Sequence, residues 1–297
     1  MRATGFTWPD RYRMAVALTW DVSGEATVYG ECPQRARTWL SDLHQHAYGP
    51  RRGIYHVLDL LERYGIPATF FVPLYTIETY PEVIAAMAGS GHELALHGQA
   101  HEGPAPLTED RVADLVRRGQ SALVRLGGVE AAGYRAPARA LERFAPGVLL
   151  RNGIGYDSSL MDDEVPYALR DAAGDLIELP VHWVLDDLPY WGCAHRGVGG
   201  AIAEPDHVLR SWVGEFEGFW AIGGLYILTL HPSVSGRPGH MTVVERLVRH
   251  IGGFPGVWWT TLRAVFEHAR ALHLQGRISV IPPLGPAPAP WPLLPPG

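Results

Sequence analysis

The chain has 297 residues, of which 47% are hydrophobic and 19% charged, so it is long and apolar enough to bury a core and does not resemble a disordered protein. Its 25 Lys and Arg against 31 Asp and Glu give a formal charge of −6, which disfavours nucleic acid and anionic membranes as partners. Histidine, at 14 residues, is the abundant candidate metal ligand. Two distant cysteines, Cys32 and Cys193, predict neither a zinc knuckle nor a disulfide framework.

The two ends of the sequence suggest its organisation. The first 14 residues lack the apolar run and small-residue cleavage site of a signal peptide, so we expect a cytoplasmic protein. Every apolar stretch is interrupted before the roughly 18 residues that a membrane span needs. Residues 282–297 contain eight prolines, which supply no backbone donors. The sequence therefore predicts one catalytic domain over residues 1–281 and a proline-rich tail over 282–297.

Between these ends, apolar runs of strand length alternate with amphipathic helical windows. The pattern predicts strands over residues 14–20, 68–73, 93–97, 176–181 and 225–230, with a further strand closing near 133. It predicts helices over residues 53–64, 81–89, 108–126 with Thr108 as N-cap, 139–151, 205–218, 242–251 and 260–273. Such alternation indicates an α/β fold with parallel strands, and the number of units favours a closed or nearly closed barrel over a doubly wound sheet.

Polar side chains stand where several predicted strands end. Asp21 follows the first strand, His97 ends the third, His231 follows the strand at 225–230, and Arg135 lies in the segment GYRAP. The carboxyl ends of barrel strands are where catalytic groups gather. The sequence therefore predicts an active site built from these residues.

The segment HGQAH places His97 and His101 four residues apart, on one face of a helical turn. Two imidazoles so placed can hold one divalent metal ion, and a catalytic site of that kind needs a further ligand, which we expect to be a carboxylate from another strand end. His231 is suited to act as a general acid that protonates a leaving nitrogen. Arg135 is expected to orient a base carboxylate or a substrate carbonyl.

These motifs together resemble the polysaccharide deacetylase, or NodB-homology, superfamily, whose fold is a distorted (β/α)7 barrel. The segments YGPRRG, GIPATFFVP, GYDSSLMDDEVPY, ELPVHWVLDDLPYW and LHPSVSGRP are more similar to one branch of it. That branch contains peptidoglycan-deacetylase-like proteins, cyclic imidases and metal-independent allantoinases. The resemblance implies that Asp21 is the catalytic base and that assembly into homo-oligomers is common.

In metal-dependent members of this superfamily, the first motif supplies a base and a metal ligand, and two histidines complete the ligand set. Here the motif reads LTWDVSGE, so Ser23 stands where the branch usually has a ligand aspartate. A neutral serine is a poor substitute for a carboxylate. Three outcomes are open: Glu25 supplies the carboxylate to a zinc or similar ion, the two histidines bind metal weakly, or the reaction proceeds without metal.

The expected substrate is a small molecule. Trp20, Tyr48 and Trp183 are candidates to line a pocket with flat apolar walls, and Arg51 and Asp187 are further candidate substrate contacts. We therefore predict a hydrolase of a non-peptide C–N bond in a cyclic imide or ureide. The alternatives are N-deacetylation of an acetylated amino sugar or natural product, and a catalytically silent ligand-binding barrel.

Overall fold

A computed structural model of the protein describes residues 5–9, 11–31, 33–100, 107–192 and 202–282. Within these ranges strands and helices alternate along most of the chain, and nearly all strand pairs are parallel. The predicted α/β fold is therefore confirmed. Among the described helices, none is both long and apolar enough to cross a membrane. His101, both cysteines and residues 283–297 of the predicted tail lie outside the described residues.

The strands form a single sheet in the order β10-β6-β7-β5-β4-β3-β2-β1-β8, with β9 also paired to β1. Their bounds are β1 Met14–Asp21, β2 Ala68–Val72, β3 Glu93–Leu96, β4 Gly133–Tyr134, β5 Tyr156–Asp157, β6 Tyr167–Asp171, β7 Gly174–Glu178, β8 Leu225–Leu230, β9 Val257–Trp259 and β10 Val280–Ile281. Only β6 and β7 pair antiparallel. Beyond β7, an isolated parallel bridge between Asp186 and Thr229 brings the chain against β8, so the two ends of a distorted barrel approach each other without a continuous ladder.

Helices surround this sheet and connect its strands. They are α1 Ala26–Glu31, α2 Pro33–Thr38, α3 Leu40–Tyr48, α4 Ile54–Tyr64, α5 Leu74–Thr79, α6 Pro81–Gly89, α7 Glu109–Gly127, α8 Ala145–Arg151, α9 Leu188–Trp191, α10 Pro205–Ile222, α11 Pro238–Gly252 and α12 Leu262–Leu274. Shorter turns follow α3 at Gly49–Gly53 and β4 at Pro137–Arg139. The predicted cap is confirmed, because the Thr108 hydroxyl accepts the Arg111 backbone N–H at 3.3 Å.

The pleat of the central strands gives the sheet two distinct faces. On β1, Met14, Val16, Leu18 and Trp20 belong to the large hydrophobic core beneath the helices, which we call the outer face. Ala15 and Ala17 belong to a second core on the inner face, and the alternation carries Thr19 and Asp21 to that side as well. On β8, Leu225 and Ile227 face inward in the same way, which assigns Thr229 and His231 to the inner face.

The structure also corrects several predicted elements. The helix predicted over 139–151 begins only at Ala145, because Ala138 and Arg139 adopt left-handed backbone angles, with φ of 51° and 62°. The hairpin partner of β7, strand β6, was not predicted. Nor were the three short helices α1–α3 between β1 and α4.

Candidate active site

Parallel register brings Asp21 and His231 together. Thr19 pairs with Thr229 and Trp20 with Leu230, so the next residues, Asp21 and His231, end adjacent strands on the same inner face. The Asp21 Oδ2 atom lies 3.9 Å from His231 Nε2 and 3.8 Å from His97 Nε2. All three side chains are at least nine-tenths buried. The structure thus brings together the three residues that the sequence placed at strand ends.

Arg135 fixes the orientation of Asp21. Its Nη1 donates to Asp21 Oδ1 at 2.8 Å and to Thr19 Oγ1 at 3.0 Å. Its Nε and Nη2 donate to the carbonyl and the hydroxyl of Ser158, and its guanidinium lies 4.0 Å from the centre of the Phe71 ring. Arg135 makes four donor contacts within the protein and is completely buried, so it holds Asp21 in a fixed orientation.

The charges around Asp21 keep its carboxyl group ionised. Burial of this group alone raises its pKa, but Arg135, His97, Arg139 and His231 together hold the pKa well below its usual value. Arg139 contributes through its Nη1, which lies 3.3 Å from Asp21 Oδ2. Asp21 is therefore an anion over the whole physiological pH range.

His231 is held by Asp187. The imidazole Nδ1 lies 2.6 Å from Asp187 Oδ1, and the other carboxylate oxygen accepts the His231 backbone N–H at 2.9 Å and the Ser235 hydroxyl at 2.5 Å. Burial lowers the pKa of His231, but the neighbouring carboxylates Asp187, Asp186 and Asp21 outweigh burial and raise it to about 9. At neutral pH His231 carries a proton on the Nε2 atom that faces Asp21.

His97 is oriented by the backbone of Arg135. Its Nδ1 lies 2.9 Å from the Arg135 carbonyl oxygen, which can only accept, so Nδ1 carries the hydrogen. The other ring nitrogen, Nε2, then points towards Asp21.

Arg139 was not predicted as a site residue. Its Nη2 donates to Asp186 Oδ2 at 2.8 Å, and the Asp186 Oδ1 atom accepts the Leu188 backbone N–H at 2.9 Å. Arg139 is tied to both Asp21 and Asp186 because the chain turns through two left-handed residues directly after Pro137. We use the term cavity cluster for Asp21, Arg135, Arg139, Asp186, Asp187 and His231.

A cavity of about 480 Å³ opens onto this cluster. Asp21, Arg139, Asp186 and His231 line it on one side. Aromatic groups form another wall, in which Trp191 stacks on His240 with ring centres 3.9 Å apart and Trp183 stands half-exposed. The cavity thus combines a charged wall with flat aromatic surfaces.

The five residues predicted to contact the substrate differ in whether they line the cavity. Trp183 lines the cavity, whereas Trp20 is completely buried in the outer-face core, because it alternates with Asp21 along β1. Tyr48 lies behind Arg237, whose guanidinium stacks 3.8 Å from the Tyr48 ring centre. Arg51 is exposed and interacts with the Tyr80 hydroxyl. Asp187 holds His231 instead of facing the cavity.

Comparison with known proteins identifies the family. The polysaccharide deacetylase family model matches residues 47–154. A solved structure from Mycobacterium smegmatis, assigned to the polysaccharide deacetylases, is 35% identical, covers 97% of this chain and 99% of its own, and superposes with a TM-score of 0.88. This chain belongs to the polysaccharide deacetylase family.

Other members of this deacetylase family and fold are more distant. The peptidoglycan deacetylase of Helicobacter pylori is 28% identical over 255 residues, which cover 76% of this chain and 86% of that protein. The structure of Puue allantoinase shares the fold, with a TM-score of 0.78 at 20% identity over 90% of this chain and 93% of its own. The chain is accordingly an amide hydrolase of the polysaccharide deacetylase superfamily, acting on C–N bonds other than peptide bonds.

A divalent metal is the cofactor that the family implies, and the residues present can be tested against it. Ser23 lines the cavity where the resemblance places a ligand carboxylate, and its hydroxyl is neutral. Glu25 is not among the residues that line the cavity, and its Oε1 accepts the Tyr80 hydroxyl at 2.5 Å. Asp21 already engages the guanidinium groups of Arg135 and Arg139. His101 lies outside the described residues.

A second set of candidate metal ligands already makes hydrogen bonds within the protein. Asp186, Asp187 and His231 offer ligand atoms within 4.8 Å of one another. Every carboxylate oxygen in this group already accepts a hydrogen bond from Arg139, Leu188, His231 or Ser235. A divalent ion would have to displace Arg139 and add two positive charges to a cluster that already contains two guanidinium groups. Neither of these two carboxylate sets of the described residues therefore fits a divalent metal.

Proposed function

We propose that this deacetylase-family protein hydrolyses the C–N bond of a small cyclic imide, ureide or related amide in the cytoplasm, with Asp21 as base and His231 as acid. One observation carries the proposal. A protonated imidazole, fixed by Asp187, faces an ionised carboxylate at 3.9 Å on the wall of a cavity. Amide hydrolysis needs one group that accepts a proton from water and one that donates a proton to nitrogen.

The reaction would proceed through the residues of this wall. Water, oriented by Asp21 Oδ2, adds its oxygen to the carbonyl carbon and gives a proton to that carboxylate. The C–N bond then breaks, and the departing nitrogen takes the proton from His231 Nε2. The proton on Asp21 afterwards returns to His231 Nε2, which lies 3.9 Å away, through one intervening water. Because the low pKa of Asp21 makes it a weak base, orientation of the water is a large part of its contribution.

The size and walls of the cavity favour a small planar substrate. Its volume of about 480 Å³ lies within the range of pockets that enclose small molecules. A flat ring can stack on the Trp191–His240 pair or against Trp183 while its carbonyl faces the charged wall. A cyclic imide or ureide has this shape.

N-deacetylation of an acetylated amino sugar is a second candidate. It is favoured by the similarity to the Helicobacter pylori protein, which is named a peptidoglycan deacetylase. Both reactions cleave a C–N bond and use the same acid and base. They differ in the fate of the acyl group. Ring opening leaves it in the single product as a carboxylate, whereas deacetylation releases it as acetate.

A turnover panel tests the proposal. Purified protein would be incubated with cyclic imides, ureides and acetylated amino sugars, and the products identified by mass spectrometry. We expect multiple turnovers with at least one cyclic imide or ureide, and a loss of roughly 10²- to 10⁴-fold in the rate with His231→Ala. Release of acetate alone would replace the proposed substrate class, and no turnover of any compound would contradict the proposed activity.

A further inference from the structure

We infer that Arg139 is a catalytic residue whose guanidinium binds the substrate carbonyl oxygen and stabilises the oxyanion formed there, in the place that a divalent metal would take. This inference rests on the proposed function and names the group that polarises the scissile carbonyl. The first supporting observation is position. Arg139 lines the cavity, its side chain is 7% exposed, and it bridges Asp21 and Asp186.

The hydrogen bonds of the two arginines in the cavity cluster differ. Of the five N–H groups of a guanidinium, Arg135 commits its Nε, Nη1 and Nη2 atoms to Asp21, Thr19 and Ser158. Arg139 commits one N–H to Asp21 and one to Asp186. Counting partners within the described part of the chain, three N–H groups of Arg139 remain for a ligand in the cavity that it lines, whereas Arg135 does not line the cavity.

The charges of the cavity cluster also favour this role. Three carboxyl groups, those of Asp21, Asp186 and Asp187, meet three basic groups, those of Arg135, Arg139 and His231. The cluster is therefore close to neutral before a substrate binds. When water adds to the carbonyl, the new negative charge on oxygen develops beside a fixed cation that needs no reorganisation, which is how preorganised sites lower the barrier.

The backbone that presents Arg139 is unusual. Ala138 and Arg139 both have positive φ angles, 51° and 62°, in a region that residues with a Cβ atom rarely adopt. Such strained backbone is found at functional sites, where the surrounding structure holds it. Here the left-handed turn directs the Arg139 side chain towards the cavity, which Ser23 also lines. The cavity is therefore lined by a guanidinium and by a neutral hydroxyl where the resemblance places a ligand carboxylate.

The catalytic role of Arg139 is tested by steady-state kinetics of its variants, with the compound of the turnover panel that the wild type hydrolyses fastest. We expect Arg139→Ala to lower kcat by about 10²- to 10³-fold, the loss typical of removing an oxyanion donor, and Arg139→Lys to keep part of the rate. Added guanidinium ion at non-denaturing concentration should restore part of the activity of Arg139→Ala. The control Arg117→Gln, at an exposed arginine on α7, should match the wild type and show no activation. A kcat of Arg139→Ala within twofold of the wild type would overturn the inference.

Zinc binding provides a readout without turnover. The wild type, incubated with zinc alone and desalted, should retain a substoichiometric amount by elemental analysis. The variant Ser23→Asp/Arg139→Ala, which adds a carboxylate and removes the cation, should retain about one zinc per chain. Stoichiometric zinc in the wild type would overturn the inference even if no substrate is found. An inactive wild type with no bound zinc would instead count against the proposed function while leaving the cation assignment supported.

Discussion

The cavity cluster and a second group of buried carboxyls, Asp157 and Glu178, differ in how a carboxyl group is stabilised away from water. In the cavity cluster, Asp21 is completely buried but keeps its negative charge, because two guanidinium groups and two imidazoles surround it. Asp157 and Glu178, which we call the sealed pair, form no ion pair within the described part of the chain. Burial and their mutual repulsion raise the pKa of Glu178, and burial raises that of Asp157 to about 6.

The comparison shows that burial does not by itself decide the charge of a carboxyl group. Burial raises the pKa in both places, and counter-charges reverse the shift only beside the cavity. The sealed pair instead uses neutral partners: the Ser159 and Leu160 backbone N–H groups donate to Glu178, and the Ser159 hydroxyl donates to Asp157. Charge is therefore preserved on the carboxyl group that lines the cavity, whereas burial favours the protonated form in the sealed pair.

The largest effect is expected at Asp21. Asp21→Asn removes the base, leaves Arg135 buried without its anion and leaves Arg139 paired with Asp186 alone, so we expect kcat to fall by at least about 10²-fold. The free energy of unfolding should fall by about 3 kcal/mol, as for other broken buried ion pairs. Urea unfolding and steady-state kinetics measure both. The control Asp175→Asn breaks the more exposed pair with Arg170 and should cost only about 0–1 kcal/mol. Equal losses in the two variants would remove the distinction between the two kinds of pair.

The next effect concerns pH. The active form of His231 is protonated, so kcat should be highest below its pKa and fall as the pH rises through about 9. Asp187→Asn removes the main charge that raises this pKa, and the alkaline limb should then move towards the ordinary histidine value of 6.5. At pH 8 this lowers kcat by roughly 10- to 100-fold. An alkaline limb that stays in place in Asp187→Asn would show that His231 is not the acid.

Replacing a carboxyl group of the sealed pair by an amide should have the opposite effect on stability from Asp21→Asn. Because the pKa values of the pair are raised in the folded chain, unfolding releases protons that the folded chain retains. The free energy of unfolding should therefore fall as the pH rises above about 5. Glu178→Gln keeps the acceptor for Ser159 and Leu160 and cannot ionise. We expect its free energy of unfolding at pH 8 to equal or exceed that of the wild type, by on the order of 1 kcal/mol. Glu178→Leu, which removes the acceptor, should be destabilised at both pH 5 and pH 8.

The smallest effect is expected in the left-handed turn. Ala138→Gly should raise the free energy of unfolding by about 0.5–1 kcal/mol, because glycine adopts a φ of 51° without strain. The same change at Ala140, where φ is −86°, should lower it. Because glycine keeps the left-handed turn that positions Arg139, kcat of Ala138→Gly should stay within about twofold of the wild type while stability rises. A loss of stability in Ala138→Gly would contradict the presence of strain at this residue.

Much of this arrangement could be predicted from the sequence. Alternation of apolar runs placed Asp21, His97 and His231 at strand ends, and parallel register then brought them to one edge. The same alternation would have excluded Trp20 from the cavity, because neighbours on a strand face opposite sides.

Arg139 was harder to predict. Its position depends on two left-handed residues with a Cβ atom, and no local pattern predicts that conformation for Ala138. The helical periodicity continued through it, and the helix was therefore predicted six residues too early, at 139 rather than 145. The role of Asp187 as the partner of His231, rather than of a substrate, depends on contact between residues 44 positions apart.

The central claim is that counter-charges hold a proton on His231 opposite an ionised Asp21. Titration of the His231 imidazole by nuclear magnetic resonance, in protein labelled at histidine and assigned with His231→Gln, tests it without a substrate. We predict a pKa near 9 in the wild type. A pKa at or below the ordinary value of 6.5 would mean that His231 is neutral at physiological pH and would contradict the account.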